Sequence, residues 1–213
     1  MKGFFITGTD TEVGKTYATT LLLKAFVQSG VQAYGYKPIV CGDRQDVVLL
    51  AEASASPLPL DLINPLWLKM PAAPLVAAQF QNLNIEWQSL LNGAQHFASQ
   101  HGELLLVEGA GGWRVPITPT QSMAELAVDL NLPVLLVIDN KLGAINHTLL
   151  TLESIAASGL TCAGLIINHP REERDAASIS NISAITSQTN VPILLEIMHG
   201  QTEINELPTE LKR

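Results

Sequence analysis

Gly3-Phe4-Phe5-Ile6-Thr7-Gly8-Thr9-Asp10-Thr11-Glu12-Val13-Gly14-Lys15-Thr16 is the stretch that decides the fold. An apolar strand, Gly3 to Thr7, enters a glycine-bounded turn, and the amphipathic run Tyr17 to Gln28 follows. Such a turn aims unpaired backbone N–H groups and the positive end of a helix dipole at one anion. Lys15 adds a mobile charge for the β and γ phosphates of a nucleotide, and the Thr16 hydroxyl suits a Mg²⁺ that bridges them. The strict phosphate-loop pattern asks for glycine at position 9, where this chain has Thr9, with Gly8 one residue earlier. The strand before the turn and the helix after it supply the context that the motif requires. The stretch therefore reads as a nucleotide cradle rather than a plain glycine-rich turn.

Outward from this loop, short apolar runs alternate with helical patterns at a spacing that suits right-handed βαβ units. Strands are expected at Gly3 to Thr7, Ala33 to Ile39, Glu103 to Glu108, Pro133 to Asp139, Ala163 to Asn168 and Pro192 to Ile197. Cores such as Leu104-Leu105-Leu106-Val107 are continuously apolar, as strands covered on both faces require. Helices are expected at Lys15 to Ser29, Asp46 to Glu52, Ala72 to Phe80, Ile85 to Gln100, Ser122 to Asp129, Ile145 to Ser158 and Glu172 to Thr189. The predicted fold is a single α/β domain over residues 1–213, like a P-loop NTPase: a mostly parallel sheet with helices on both faces. Pro57 to Pro74 is the one irregular region, read either as a surface connection or as one wall of a ligand pocket.

Ligands of an open parallel sheet bind beyond the carboxyl ends of its strands, so residues that end strands carry the functional weight. Lys37 closes the second predicted strand, where its ammonium either faces the pocket of Lys15 or is solvated. Glu108 closes the third, ahead of Gly109-Ala110-Gly111-Gly112, as a Mg²⁺ carboxylate or as the start of a flexible turn. Asp43 and Asp46 both follow the second strand, and spacing does not choose between them as a further metal carboxylate.

The 213 residues are 47% hydrophobic, enough to bury a full core. A formal net charge of −8 disfavours a polyanionic partner, so nucleic acid is not expected. The cysteines, Cys41 and Cys162, are far apart and lack metal spacing. No signal segment or apolar run of spanning length is present, so the expected compartment is the cytoplasm, without membrane contact.

Four segments together resemble the dethiobiotin synthetase family: the phosphate loop, Tyr36-Lys37-Pro38, Val107-Glu108-Gly109-Ala110-Gly111-Gly112-Trp113 and Lys141-Leu142-Gly143-Ala144-Ile145-Asn146-His147. The resemblance runs over nearly the whole chain. It implies an ATP-dependent cyclo-ligase of biotin synthesis that makes dethiobiotin from 7,8-diaminononanoate and CO₂ (or bicarbonate), releasing ADP and phosphate. Matched by motif position, Glu12, Val13, Gly14, Lys15, Thr16 and Tyr17 are implied to bind ATP, and Thr16, Asp46 and Glu108 to hold Mg²⁺. Asp46 is preferred to Asp43 because Asp46-Val47-Val48-Leu49 matches the family's helix. Lys37, Lys15 and Thr11 are the implied catalytic groups, with Cys41 and Gly111 also facing substrate. Asn168 is the implied adenine-reading amide, and the segment from Pro192 to Ile197 the other wall of the base pocket. The family also implies a homodimer with a shared active site, in which Gly143, Ala144, Ile145 and Asn146 of one copy serve the substrate of the other.

Two other functions fit a phosphate loop. A positioning ATPase that switches with nucleotide state carries a signature lysine early in the loop, where this chain has Asp10, and often an amphipathic membrane tail, which Gln201 to Arg213 do not form. A non-catalytic domain derived from the synthetase fold would have lost phosphate or metal groups, whereas Lys15, Thr16, Lys37, Asp46 and Glu108 are all present.

Overall fold

The computed structural model describes residues 2–211. Six strands form one parallel sheet in the order β2-β5-β1-β6-β7-β8: β1 (Gly3–Gly8), β2 (Ala33–Tyr36), β5 (Leu104–Glu108), β6 (Val134–Asp139), β7 (Cys162–Asn168) and β8 (Ile193–Ile197). Successive side chains of β1 enter opposite layers, as a period of two requires: Phe4 and Ile6 join one core cluster and Phe5 the other. The first layer is closed by α1 (Lys15–Gln28), α2 (Gln45–Ala53) and the buried tail residues Ile204, Leu207 and Leu211. The second is closed by α4 (Pro74–Phe80), α5 (Trp87–Gln100), α6 (Met123–Leu130), α7 (Ala144–Ala157) and α8 (Ala176–Gln188). Both faces are covered, which accounts for the uninterrupted apolar strands.

Two expectations need correction. The run Ala33 to Ile39 is not one strand. Pro38 has no N–H for a ladder, and the chain leaves the sheet after Tyr36. It forms β3 (Ile39–Cys41), which pairs in parallel with β4 (Leu66–Leu68) in a second, two-stranded sheet. The segment Pro57 to Pro74 thus contains β4 and the single-turn helix α3 (Leu60–Ile63). The last helix also starts later than its pattern suggests: Glu172 to Asp175 lie outside it, and the Asp175 carboxylate caps it by accepting from the Ser178 N–H at 2.7 Å.

All the parallel strands run the same way, so their carboxyl ends share one edge. The loops after β1, β2, β5, β6, β7 and β8 meet there.

Candidate active site

The phosphate loop joins β1 to α1 at that edge. Gly14 caps α1 with φ of 92°, and Glu12 also holds a positive φ of 60°. Left-handed backbone at these two positions turns successive N–H groups inward, the concave arrangement that receives an anion. A side chain at Gly14 would be strained, and its Cβ would stand 2.2 Å from Nδ2 of Asn168. Gly8 is required for a different reason: a Cβ there would meet Val13 Cγ2 at 2.5 Å and the Asp10 carbonyl at 2.9 Å. The loop curls back over Gly8, so the displaced glycine still serves the cradle.

Lys15 is buried and donates to the Asp10 carbonyl at 3.1 Å. Burial pulls its ammonium down to about 8, with Glu108 opposing the shift and Lys37 adding to it. The lysine is thus held in a dry pocket, where an arriving phosphate would be its strongest counter-charge.

Lys37, Glu108, Asp46 and Thr16 form one cluster. Lys37 Nζ donates to Asp46 Oδ2 at 2.7 Å and to Glu108 Oε1 at 2.5 Å, and Thr16 Oγ1 donates to the same Glu108 oxygen at 2.6 Å. Lys37 is neither solvated nor incidental. Burial is the largest influence on it and acts downward, but the two carboxylates outweigh burial and leave its pKa above the ordinary value. For Asp46, desolvation acts upward, and Lys37 with the hydrogen bonds outweighs it, so that carboxylate stays ionised below the usual range. Asp43 is not part of the cluster; it accepts from the Gln45 N–H at 2.9 Å, as a turn residue before α2.

The cluster fits a hard divalent cation. Glu108 is fully buried, its Oε2 has no hydrogen-bond partner, and a hydroxyl and a second carboxylate lie beside it. Mg²⁺ bound this way takes few protein oxygens and completes its shell with phosphates and water.

A cleft of about 660 Å³ opens over these groups and is lined by Thr11, Glu12, Gly14, Lys15, Thr16, Tyr17, Lys37, Cys41, Asp46 and Gly111. Its opposite wall is Pro71, Ala72, Ala73 and Pro74 with Val40, Ala110 and Val115. The cleft therefore joins a charged floor to an apolar wall. Burial pushes the Cys41 thiol up to about 11, against the pull of Lys37, so it is an uncharged weak hydrogen-bond partner there.

The family described as AAA domain matches residues 2–202. A relative named ATP-dependent dethiobiotin synthetase BioD, from Akkermansia muciniphila, is 46% identical over 94% of this chain and 94% of its own length. A relative of the same name from Marinobacter nauticus is 36% identical over 99% of this chain and 94% of its own length. This chain belongs to the dethiobiotin synthetase family.

Solved structures outside that family share the fold alone. The signal recognition particle receptor FtsY of Elizabethkingia anophelis superposes with a TM-score of 0.58 at 17% identity, covering 99% of this chain and 63% of that one. The septum site-determining protein MinD of Pyrococcus horikoshii, complexed with Mg-ADP, gives 0.57 at 15% identity, covering 92% and 81%. The fold they share with this dethiobiotin synthetase family member is the parallel sheet with helices on both faces.

Not every expected site residue reaches the cleft. Asn168 ends β7 against the phosphate loop, its Nδ2 donating to the Val13 carbonyl at 2.9 Å and its Oδ1 buried without a partner. Pro192 does not approach it. It precedes β8, and its carbonyl accepts from the Leu165 N–H at 2.8 Å in mid-β7, three residues or about 10 Å of strand short of Asn168 and the loop edge. The part of that wall at the correct edge is Ile197, level with Asn168, and the turn Met198 to Gln201 beyond it. Gly143, Ala144, Ile145 and Asn146 open α7 at the same edge and do not line the cleft of their own chain. Val40 and Val115 are cleft residues that no motif marked; they are small apolar neighbours of motif residues, and only the packing brings them to the wall.

Proposed function

We propose that this protein is an ATP- and Mg²⁺-dependent cyclo-ligase that converts 7,8-diaminononanoate and CO₂ to dethiobiotin, with release of ADP and phosphate. The observation that carries the reading is the convergence of Lys15, Lys37, Thr16 and Asp46 in one cleft with an apolar wall, with the buried Glu108 behind them bonded to Thr16 and Lys37. One substrate amine takes up CO₂ as a carbamate, the carbamate oxygen attacks the γ-phosphorus, and ADP departs. The second amine then attacks the carbonyl carbon, closes the ureido ring and expels phosphate. The substrate carries both nucleophiles, so the chain supplies charge and orientation.

In this reading the loop from Glu12 to Tyr17 holds the triphosphate, and Thr16, Asp46 and Glu108 hold Mg²⁺. The metal supplies Lewis-acid neutralisation of the phosphate oxygens. Lys15 and Lys37 offset the approach of two anions and the charge that spreads over the transferred group. Thr11, Cys41 and Gly111 contact the diamine end, and the Pro71 to Pro74 wall receives its methylene chain. Asn168 reads the adenine edge with an amide that both donates and accepts.

The working unit in this proposal is a homodimer, with the Gly143 to Asn146 helix start of one copy holding the substrate carboxylate of the other. Support comes from the exposed Leu142, just before that helix, and the exposed Leu150 on it. A cytoplasmic location belongs to the same proposal; no helix among the described residues is long and apolar enough to cross a membrane.

The test is phosphate release from Mg-ATP with bicarbonate, with and without 7,8-diaminononanoate, with the product weighed by mass spectrometry. Diamine-dependent release with dethiobiotin is expected. Nucleotide turnover indifferent to the diamine would reject the reaction.

A further inference from the structure

Beyond β8 the chain does not leave the molecule. Met198 to Glu203 run as a strap between two buried anchors, Ile197 and Ile204, and touch the first turn of α1 at Tyr17. The strap is internally braced: the Met198 N–H donates to Gln201 Oε1 at 3.0 Å, the Gln201 N–H to the Met198 carbonyl at 3.1 Å, and Gln201 Nε2 to the Glu203 carbonyl at 2.7 Å. One side is fixed to the β7–α8 loop, where His199 Nδ1 donates to the Pro170 carbonyl at 2.8 Å. The other side is fixed to the phosphate-loop helix, where the Tyr17 hydroxyl donates to the Gln201 carbonyl.

Tyr17 directly follows Thr16 and stands at the edge of the cleft. Asn168, the adenine reader of the reading above, ends β7 against the phosphate loop, with its Oδ1 buried and unpartnered. It stands level with Ile197, and the strap begins at the next residue. A base that Asn168 reads would therefore lie beside the strap.

We propose that Tyr17 is a positioning residue for nucleotide binding: its hydroxyl is a clasp that holds the Met198 to Gln201 turn over the base of a bound nucleoside phosphate. The inference rests on the nucleotide reading above and adds a residue whose side chain acts through the strap, not on the phosphates. A clasp of one hydrogen bond sets a modest effect, and the effect falls on the nucleotide alone.

The experiment uses ADP with Mg²⁺ as probe, measured by calorimetry on the full chain, so it is independent of the ligase reaction. Tyr17→Phe keeps the ring and removes the clasp; ADP binding is expected to weaken about fivefold, with a melting temperature in the absence of nucleotide lower by no more than about 2–4 °C, the share of one hydrogen bond. Gln201→Ala, which unbraces the turn that presents the carbonyl, is expected to weaken it similarly. The double variant should be no worse than Tyr17→Phe alone, because Gln201→Ala acts only through the placement of the carbonyl that the Tyr17 hydroxyl holds. In turnover assays the loss appears in KM for ATP and not in KM for the diamine. Wild-type or tighter ADP binding by Tyr17→Phe, or strictly additive losses in the double variant, would overturn the clasp. A wild-type chain that does not bind ADP removes both the clasp and the nucleotide reading, whereas ADP binding without dethiobiotin formation removes only the latter's reaction.

Discussion

Lys37 carries the largest share of the proposed chemistry, and its surroundings say how to test it. Alanine would strand the buried Glu108 without its cation and cost several kcal/mol, confusing catalysis with folding. Lys37→Gln keeps an N–H donor and loses the charge. It is expected to lower kcat by about 10²–10³ while ADP affinity stays within a few-fold, as suits a charge used mainly in the transition state. Glu108→Gln is expected to raise the Mg²⁺ concentration needed for half-maximal turnover; a normal metal titration would make Glu108 only the partner of Lys37. Lys15 sets a pH dependence with a definite sign. Its pKa in the free protein is about 8, and a bound phosphate favours the ammonium and raises that value. Above pH 8 binding must therefore take up a proton, so ADP affinity falls with rising pH by up to about tenfold per unit, and below pH 8 this group contributes no slope. Calorimetry in buffers of different ionisation enthalpy measures the uptake directly; no uptake at pH 9 would contradict the assignment.

At the scale of elements, the helix ends at the loop edge are shaped by local chemistry. In α6, Ser122 Oγ accepts from the Ala124 N–H, and the Glu125 carboxylate accepts from the Ser122 N–H at 2.7 Å, a reciprocal cap. Ser122→Ala is expected to cost about 1 kcal/mol, seen as a fall of roughly 2–4 °C in Tm, without a change in KM for either substrate. The starts of α1 and α7 are different: each is capped by a glycine with φ of 92° and has no side-chain cap. Neither start has a side chain that caps its N–H groups, and at α7 the Ala144 N–H donates instead to the Lys141 carbonyl at 3.0 Å. That contrast was legible in Gly14-Lys15 and Gly143-Ala144, because a glycine before a helix is a local signal. The division of Ala33 to Ile39 was equally local in cause, since Pro38 cannot extend the ladder, but the apolar pattern alone concealed it.

At the scale of the molecule, the proposed homodimer makes a prediction that no single chain can satisfy. If the α7 start of one copy completes the site of the other, Lys37→Gln and a variant impaired at Asn146 should complement when mixed. Random exchange gives about half hybrid dimers, each with one intact site, so about a quarter of full activity should return. Activity that stays at the sum of the two variants would place the whole site within one chain. Sedimentation at twice the chain mass is the prior requirement.

What the sequence by itself determined is short in range: the phosphate loop and its helix, the apolar strands, and the residues at strand ends where ligands of this architecture bind. Backbone preference and anion chemistry act over a few residues, so these were readable without partners. The tertiary structure alone decided that Lys37 meets Glu108 across 71 positions and that Thr16 meets it across 92. It also decided that Pro71 to Pro74 face the phosphate loop and that Pro192 lies at the wrong end of its strand. Such meetings depend on which edge each strand presents and on which layer each loop crosses. That order is set by the burial of both faces of the sheet together, a property of the whole chain that no segment of it contains.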